Sequence, residues 1–172
     1  MTTILLARHG ETDWNRDGRF QGHADPSLNA LGHTQAGELA ESLGAEALDA
    51  VYASDLRRAY KTADIVGARL GLPVEQEAGL REIDVGSWQG LTRAEIDGRE
   101  WDGESHVQHR RRVLEALQQI ADRYPDGRVL VVAHGGTLRR AQEAVLGEGL
   151  PVIEHCGLWR LVVEGGNLRR LD

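Results

Sequence analysis

The chain has 172 residues, enough for one domain with a real core, and its 41% hydrophobic and 27% charged residues are an ordinary soluble globular balance. A net charge of −7 argues against a broad nucleic-acid footprint, so any phosphate site must concentrate its cations in one place. No stretch nears the roughly 20 apolar residues of a membrane span, Ile4–Ala7 is too short for a secretory leader, and the lone Cys156 rules out an internal disulfide, which suits a reducing cytoplasm.

Ile4–Ala7 reads as a short buried strand that breaks at Arg8-His9-Gly10. Asp13–Asn29 is polar and glycine-rich, a loop with a helical start. Asn29 is a helix N-cap before Leu31–Leu43. Ala50–Ala53 is a second strand. Leu56–Leu70 is a helix, with Leu56, Ala59, Ala63, Val66 and Leu70 at helical spacing and Gly71 ending it. Pro73-Val74 starts an extended piece, and Glu77–Glu104 is irregular. Ser105 caps a long helix to about Tyr124, and Pro125-Asp126-Gly127 is a turn. Val129–Ala133 is the clearest buried strand. It breaks at His134-Gly135-Gly136, and Thr137–Leu146 is helical. Gly157–Glu164 and Leu168–Leu171 close the chain as a hairpin. Strands alternating with helices predict an α/β fold, a three-layer sandwich with a mainly parallel central sheet flanked by helices, in a single domain over 1–172.

Two buried strands thus end in histidine followed by glycine. Ligands in open α/β sheets bind beyond the carboxyl ends of the strands. If these strands are neighbours, His9 and His134 face one pocket.

These residues also carry a resemblance. Arg8-His9-Gly10-Glu11-Thr12 with Trp14-Asn15 is similar to the signature of the histidine phosphatase superfamily, in the branch of phosphoglycerate mutases and small phosphatases. The likeness continues through Gln21-Gly22, Asp25, Gly32, Gln35-Ala36, Ser54–Ala59 with Thr62-Ala63, Leu80-Arg81-Glu82, Gly86, Trp88-Gln89-Gly90, Gly103-Glu104-Ser105, Arg112 and Val129–Gly136. It implies His9 as nucleophile, and Arg8 and Arg58 as phosphate ligands helped by Asn15. Arg58 is chosen over Arg57 because the family arginine directly precedes the alanine. Glu82 is implied as proton donor, His134 as second pocket histidine with the Gly135 N–H beside it, and Gln21 and Gly22 on the substrate side. One departure is His155, before Cys156, where small members often carry Asn; its side chain would touch the His9 loop.

The residue types suit the chemistry. Guanidinium forks match phosphoryl oxygens. An attacking imidazole nitrogen must be unprotonated, so its other nitrogen needs an acceptor. The leaving alkoxide needs a proton, for which Glu82 is the candidate. No cofactor and no metal is called for. His106 and His109 sit three apart on a helix, but with no third ligand they read as a solvated face. Arg112 reads as a structural ion-pair residue, and Trp88 and Trp101 as core or pocket wall in equal measure.

The leading expectation is a metal-independent phosphatase that hydrolyses a small phosphorylated metabolite through a phosphohistidine. A mutase-like phosphotransferase and a non-catalytic phospho-ligand binding module are the alternatives. The short interval after Gly86 holds Arg93 and Arg99 beside Glu95, Asp97, Glu100 and Asp102, acids that would oppose an anionic substrate acid and so speak against a mutase. No membrane and no nucleic-acid partner is expected, and a homodimer is left open.

Overall fold

The computed structural model describes residues 1–147 and 149–171. Its strands are β1 (Thr2–Arg8), β2 (Ala50–Ala53), β3 (Val74–Gln76), β4 (Arg128–Ala133), β5 (Leu158–Glu164) and β6 (Asn167–Arg170). Its helices are α1 (Asp13–Arg16), α2 (Ala30–Ser42), α3 (Arg57–Leu70), α4 (His106–Arg123) and α5 (Gly135–Leu146). The six strands form one sheet in the order β3-β2-β4-β1-β5-β6. The first four run parallel, and β5 returns antiparallel beside β1. This is the expected α/β sandwich.

The strands read as unbroken apolar runs because helices cover both faces of the sheet. Side chains alternate between faces along a strand. Ile4, Leu6, Val129 and Val131 therefore meet Val113, Leu117 and Ile120 of α4 and Leu138 of α5. Leu5, Ala7, Leu130 and Val132 face the other way, onto Leu39 and Leu43 of α2 and Ala59, Ala63 and Val66 of α3. Each fully buried Val, Leu or Ile side chain among them contributes about 1.5–3 kcal/mol, so the two strands that lead to the histidines are anchored in the core on both faces.

Helix starts follow the expected caps. Asn29 Oδ1 accepts from the Gly32 N–H at 2.9 Å, and Ser105 closes a capping box with Gln108 over α4. Gly71 ends α3 in the left-handed region, at φ 71°. The expected boundaries shift slightly. α3 begins at Arg57 with Leu56 as its N-cap, and α5 begins two residues before Thr137, so both glycines after His134 belong to its first turn. The Glu77–Glu104 stretch is irregular, as expected, apart from two short 3₁₀ turns at Ala78–Leu80 and Gly86–Trp88.

The loop after β1 is pressed against the start of α2. A Cβ on Gly10 would lie 2.4 Å from the Gly32 carbonyl oxygen, and one on Gly32 would lie 2.1 Å from that of Glu11. Both obstacles are backbone, so neither can swing aside. Gly10→Ala or Gly32→Ala is expected to cost ~1–3 kcal/mol of stability and to lower activity beyond that, because the strained loop carries His9. Urea unfolding beside a turnover assay checks this; wild-type stability in both variants would contradict the packing.

Candidate active site

β1 and β4 are adjacent and parallel, with Arg8 opposite Ala133. The next residues, His9 and His134, therefore leave the sheet side by side. Their rings lie 5.2 Å apart, tilted by 59°. Both are buried, but only His9 lines the cavity beyond the strand ends, whose volume is about 590 Å³. His134 lies beneath the cavity surface.

The protonation of His9 follows from one contact. Its Nδ1 sits 2.6 Å from the Gly10 carbonyl oxygen. A carbonyl only accepts, so Nδ1 carries the hydrogen and Nε2 keeps its lone pair. Burial, followed by the charge of Arg58, holds the ring well below the usual histidine range, so it stays neutral near pH 7. His134 is held low by the same two causes. Its Nε2 meets Ser54 Oγ at 2.8 Å, and its Nδ1 is a buried nitrogen without a partner among the described residues.

The two predicted arginines arrive from different elements. Arg58, in the first turn of α3, is wholly buried and donates to the carbonyls of Ala24 at 2.7 Å and Gly22 at 2.8 Å. Desolvation pulls its pKa down to about 10, which leaves it charged at neutral pH. Arg57 points outward toward Asp25 and does not line the cavity. Arg8 donates through Nη1 to the Ile153 carbonyl at 3.0 Å. The Nε atoms of Arg8 and Arg58 are both buried and unpartnered. Buried donors without acceptors cost about 1–3 kcal/mol each; both arginines also line the cavity, where their charge favours an anion.

Asn15, Gln21, Gly22 and Gly135 all line the same cavity. Asn15 Oδ1 accepts from the Thr12 N–H at 3.1 Å and Gln21 Oε1 from the Thr12 hydroxyl at 2.8 Å, which turns both amide NH₂ groups away from Thr12. Gly22 needs its φ of +51°, since a Cβ there would strike Val85 at 2.6 Å. Gly135 stands in the first turn of α5, where free N–H groups and the helix dipole favour an anion.

Glu82 reaches the cavity from the irregular segment. Its Oε1 accepts from its neighbour's N–H, that of Ile83, and its Oε2 from the Gly136 N–H, both at 2.9 Å. Its carbonyl is fixed by Arg112 Nη2 at 2.8 Å and His23 Nε2 at 2.9 Å. Arg112 also grips Glu104 through two contacts of 2.7 Å, the structural ion pair expected of it. Glu77 caps the 3₁₀ turn before Leu80 and Asp84 holds the Gly86 N–H, so Glu82 is the carboxylate of the three that faces the cavity.

Several residues take parts that the sequence did not assign to them. Gly136 is one: a Cβ there would sit 2.2 Å from Glu82 Oε1. Thr62 is another, accepting from the Gly10 N–H at 3.0 Å. His109 corrects an expectation. It is buried rather than solvated, its Nε2 3.3 Å from Thr137 Oγ1, and burial pulls its pKa down to about 4. Its partner His106 stacks on Trp101. Trp88 and Trp101 line the cavity and meet edge to face at 4.8 Å. Each indole N–H is tied to a backbone carbonyl, of Glu100 and of Glu104, so the cavity meets ring surface only.

The charge around the cavity mouth also differs from expectation. Glu95, Asp97, Glu100 and Asp102 do not line it; among the described residues six arginines do, against the single carboxylate of Glu82. Arg139 and Arg140 of α5 and Arg19 join the Arg93 named from sequence. The charge argument against a mutase therefore falls.

Residues 4–166 match the histidine phosphatase superfamily, branch 1. The chain belongs to this family. Glucosyl-3-phosphoglycerate phosphatase of Mycobacterium tuberculosis is 40% identical, over 83% of this chain and 74% of its own length. The metal-independent phosphoserine phosphatase of Arabidopsis thaliana is 41% identical, over 81% of this chain and 66% of its own. Among solved structures, Bacillus stearothermophilus YhfR superposes with a TM-score of 0.93 at 33% identity, covering 99% of this chain and 95% of that one. The family and these named hydrolases make the chain a phosphatase of the phosphohistidine type.

The buried neutral histidines set a stability profile. Unfolded, His9, His109 and His134 take up protons below about pH 6.5; folded, burial keeps all three from doing so until lower pH, about 4 for His109. Stability is therefore full above about pH 6.5 and falls as pH drops through it, by ~1.4 kcal/mol per pH unit for each histidine. Urea midpoints measured from about pH 7.5 to 5 should fall with a slope of more than one proton; a flat profile would contradict the neutral assignments.

Proposed function

We propose that this single domain hydrolyses a small phosphomonoester with His9 as nucleophile and Glu82 as acid and base. The observation that carries the reading is the His9 tautomer: Nδ1–H is fixed on the Gly10 carbonyl, so Nε2 is an unprotonated nucleophile at the cavity floor. Arg8 and Arg58, whose guanidinium side chains line the cavity, hold the phosphoryl oxygens together with Asn15 and the Gly135 N–H. The His9 Nε2 attacks phosphorus in line with the ester oxygen. As the P–O bond breaks, protonated Glu82 gives its proton to the leaving alkoxide. The phosphoryl oxygens spread charge that the arginines stabilise, and the buried His134 Nδ1, freed to donate when Ser54 donates to Nε2, is the further donor beside them. Glu82 then takes a proton from the water that attacks the N–P bond, releasing phosphate and restoring His9.

The rest of the cavity supports a substrate class. Arg139 has no hydrogen bond or ion pair with any described residue, and its Nε is buried. A leaving alcohol that bears its own anionic group would answer it, with Trp88 and Trp101 offering ring surface beside it. Such a substrate is a small phosphorylated metabolite of the cytoplasm. No helix among the described residues is long and apolar enough to cross a membrane.

The test follows phosphate and 2-phosphoglycerate together, with 3-phosphoglycerate as substrate, a bisphosphoglycerate primer and excess chelator. Phosphate release should persist under chelation and exceed isomerisation. Arg139→Ala should raise KM for 3-phosphoglycerate by about ten- to hundredfold and leave glycerol phosphate nearly unaffected. Isomerisation faster than phosphate release would make the chain a mutase; loss of turnover on chelation, restored by one metal, would overturn the mechanism.

A further inference from the structure

The peptide that joins His9 to Gly10 is clamped at both ends. Its carbonyl, that of His9, accepts from His155 Nδ1 at 3.0 Å. Its N–H, that of Gly10, donates to Thr62 Oγ1 at 3.0 Å. The next carbonyl along, that of Gly10, is the one that takes the His9 Nδ1–H. Gly10 is the loop residue with the widest backbone freedom, and Gly32 forbids it a side chain. Its carbonyl is kept on the nucleophile from two sides: Gln35 Oε1 accepts from the Glu11 N–H of the same peptide at 2.9 Å, and the peptide plane before it is set by His155 and Thr62.

The segment that brings His155 there is stitched to the end of β1. Arg8 Nη1 donates to the Ile153 carbonyl at 3.0 Å, the Cys156 N–H donates to the Arg8 carbonyl at 3.0 Å, and the Arg8 N–H donates to the Gly157 carbonyl at 3.3 Å. Cys156, directly after His155, takes a φ of 57°, a conformation few L-residues adopt. The His155 ring stands 5.6 Å from that of His9, tilted by 53°, yet it does not line the cavity. It has no reach to substrate except through His9.

From this juxtaposition we infer that His155 is a positioning residue for phosphoryl transfer: its Nδ1–H fixes the peptide between His9 and Gly10, and so fixes the Gly10 carbonyl that selects the reactive tautomer of His9. The inference rests on His9 being the nucleophile. It differs from a plain packing role in what it demands of the side chain at 155. One donor, at the Nδ1 position, is needed. Asn places its Nδ2 amide at that position, one bond beyond Cγ; Gln places its amide where Nε2 lies and leaves the Nδ1 position bare.

The experiment compares His155→Asn, His155→Gln and His155→Ala with the wild type in three readouts. These are the single-turnover rate of phosphoenzyme formation, the Kd of inorganic phosphate, and the ¹⁵N shifts of the His9 ring in the resting enzyme. Ala and Gln should slow phosphoenzyme formation on the order of tenfold or more, since small misplacements of a reacting group have effects of this size. Asn should restore most of the rate. The Kd of phosphate should stay near wild type in all three, because the arginines hold it. The His9 ring should be the Nδ1–H form in the wild type and Asn variant, and a mixture with the Nε2–H form in the others. Equal rates in all four proteins would overturn the inference. So would losses in which Asn gives no rescue and phosphate binding weakens with the rate, the signature of a loosened loop. His9→Ala, run alongside, reports on the underlying reading: turnover without His9 sinks that reading, while an inert His9→Ala with unaffected His155 variants sinks only the inference.

Discussion

His9→Ala is expected to abolish turnover while leaving the fold and phosphate binding in place. On the proposed reading the imidazole is the nucleophile: Arg8 and Arg58 carry no lone pair to attack with, and His134 lies beneath the cavity surface. Losing a covalent nucleophile from an assembled site costs on the order of 10⁶ in kcat, although binding groups sustain a residual rate over water. Phosphate should still bind, because Arg8 and Arg58 still line the cavity. Stability should change little at neutral pH, since the ring's hydrogen bond is to the adjacent residue. Steady-state kinetics with isothermal titration of phosphate checks both halves. Activity within about a hundredfold of wild type, set against that expected loss, would remove His9 from the nucleophile's role.

The second large effect falls on Glu82 and depends on the leaving group. Glu82→Gln cannot donate a proton but keeps the shape of the side chain. For an alkyl phosphate, whose alkoxide leaves poorly, phosphoenzyme formation should slow by about 10²–10⁴-fold. Nitrophenyl phosphate, whose leaving group barely needs a proton, should lose far less. Gly136→Ala should reproduce this pattern without touching the carboxyl. The new Cβ would sit 2.2 Å from Glu82 Oε1 and 3.0 Å from its carboxyl carbon, so the carboxylate must swing off the α5 N-terminus. Single-turnover measurements with the two esters decide the matter. Equal losses for both would show that Glu82 is not the acid.

Much of this was legible because the chemistry sits at strand ends. β1 and β4 are covered on both faces, so they read as unbroken apolar runs, and the histidines that end them stand out. That the two strands are neighbours was a condition in the sequence and a register in the structure. Arg58 was separable from Arg57 by motif, and the reason is a helical turn: one side chain enters the core while the other follows Asp25 outward. His109 shows a signal that was present and unused. It shares a stripe with Val113, Ala116, Leu117 and Ile120, all buried on α4, and the polarity of histidine hid that periodicity. The role of Gly136, named only as part of a motif, was hidden for a different reason. Its lack of a side chain answers to Glu82, 54 positions earlier in the chain, and only the fold brings them together. The acids after Gly86 misled because composition does not say which way a side chain faces; Trp88 and Trp101 turn to the cavity and their acidic neighbours do not.

The central claim is a covalent phosphoryl group on His9 Nε2. Mixing the enzyme with ³²P-labelled nitrophenyl phosphate, whose leaving group barely needs Glu82, quenching in alkali within milliseconds and mapping the labelled peptide tests it directly. The account predicts label that is stable to base, lost in acid, confined to the peptide carrying His9, and accumulated further when Glu82→Gln slows its hydrolysis. No trapped label in either protein, or label on another residue, would contradict it.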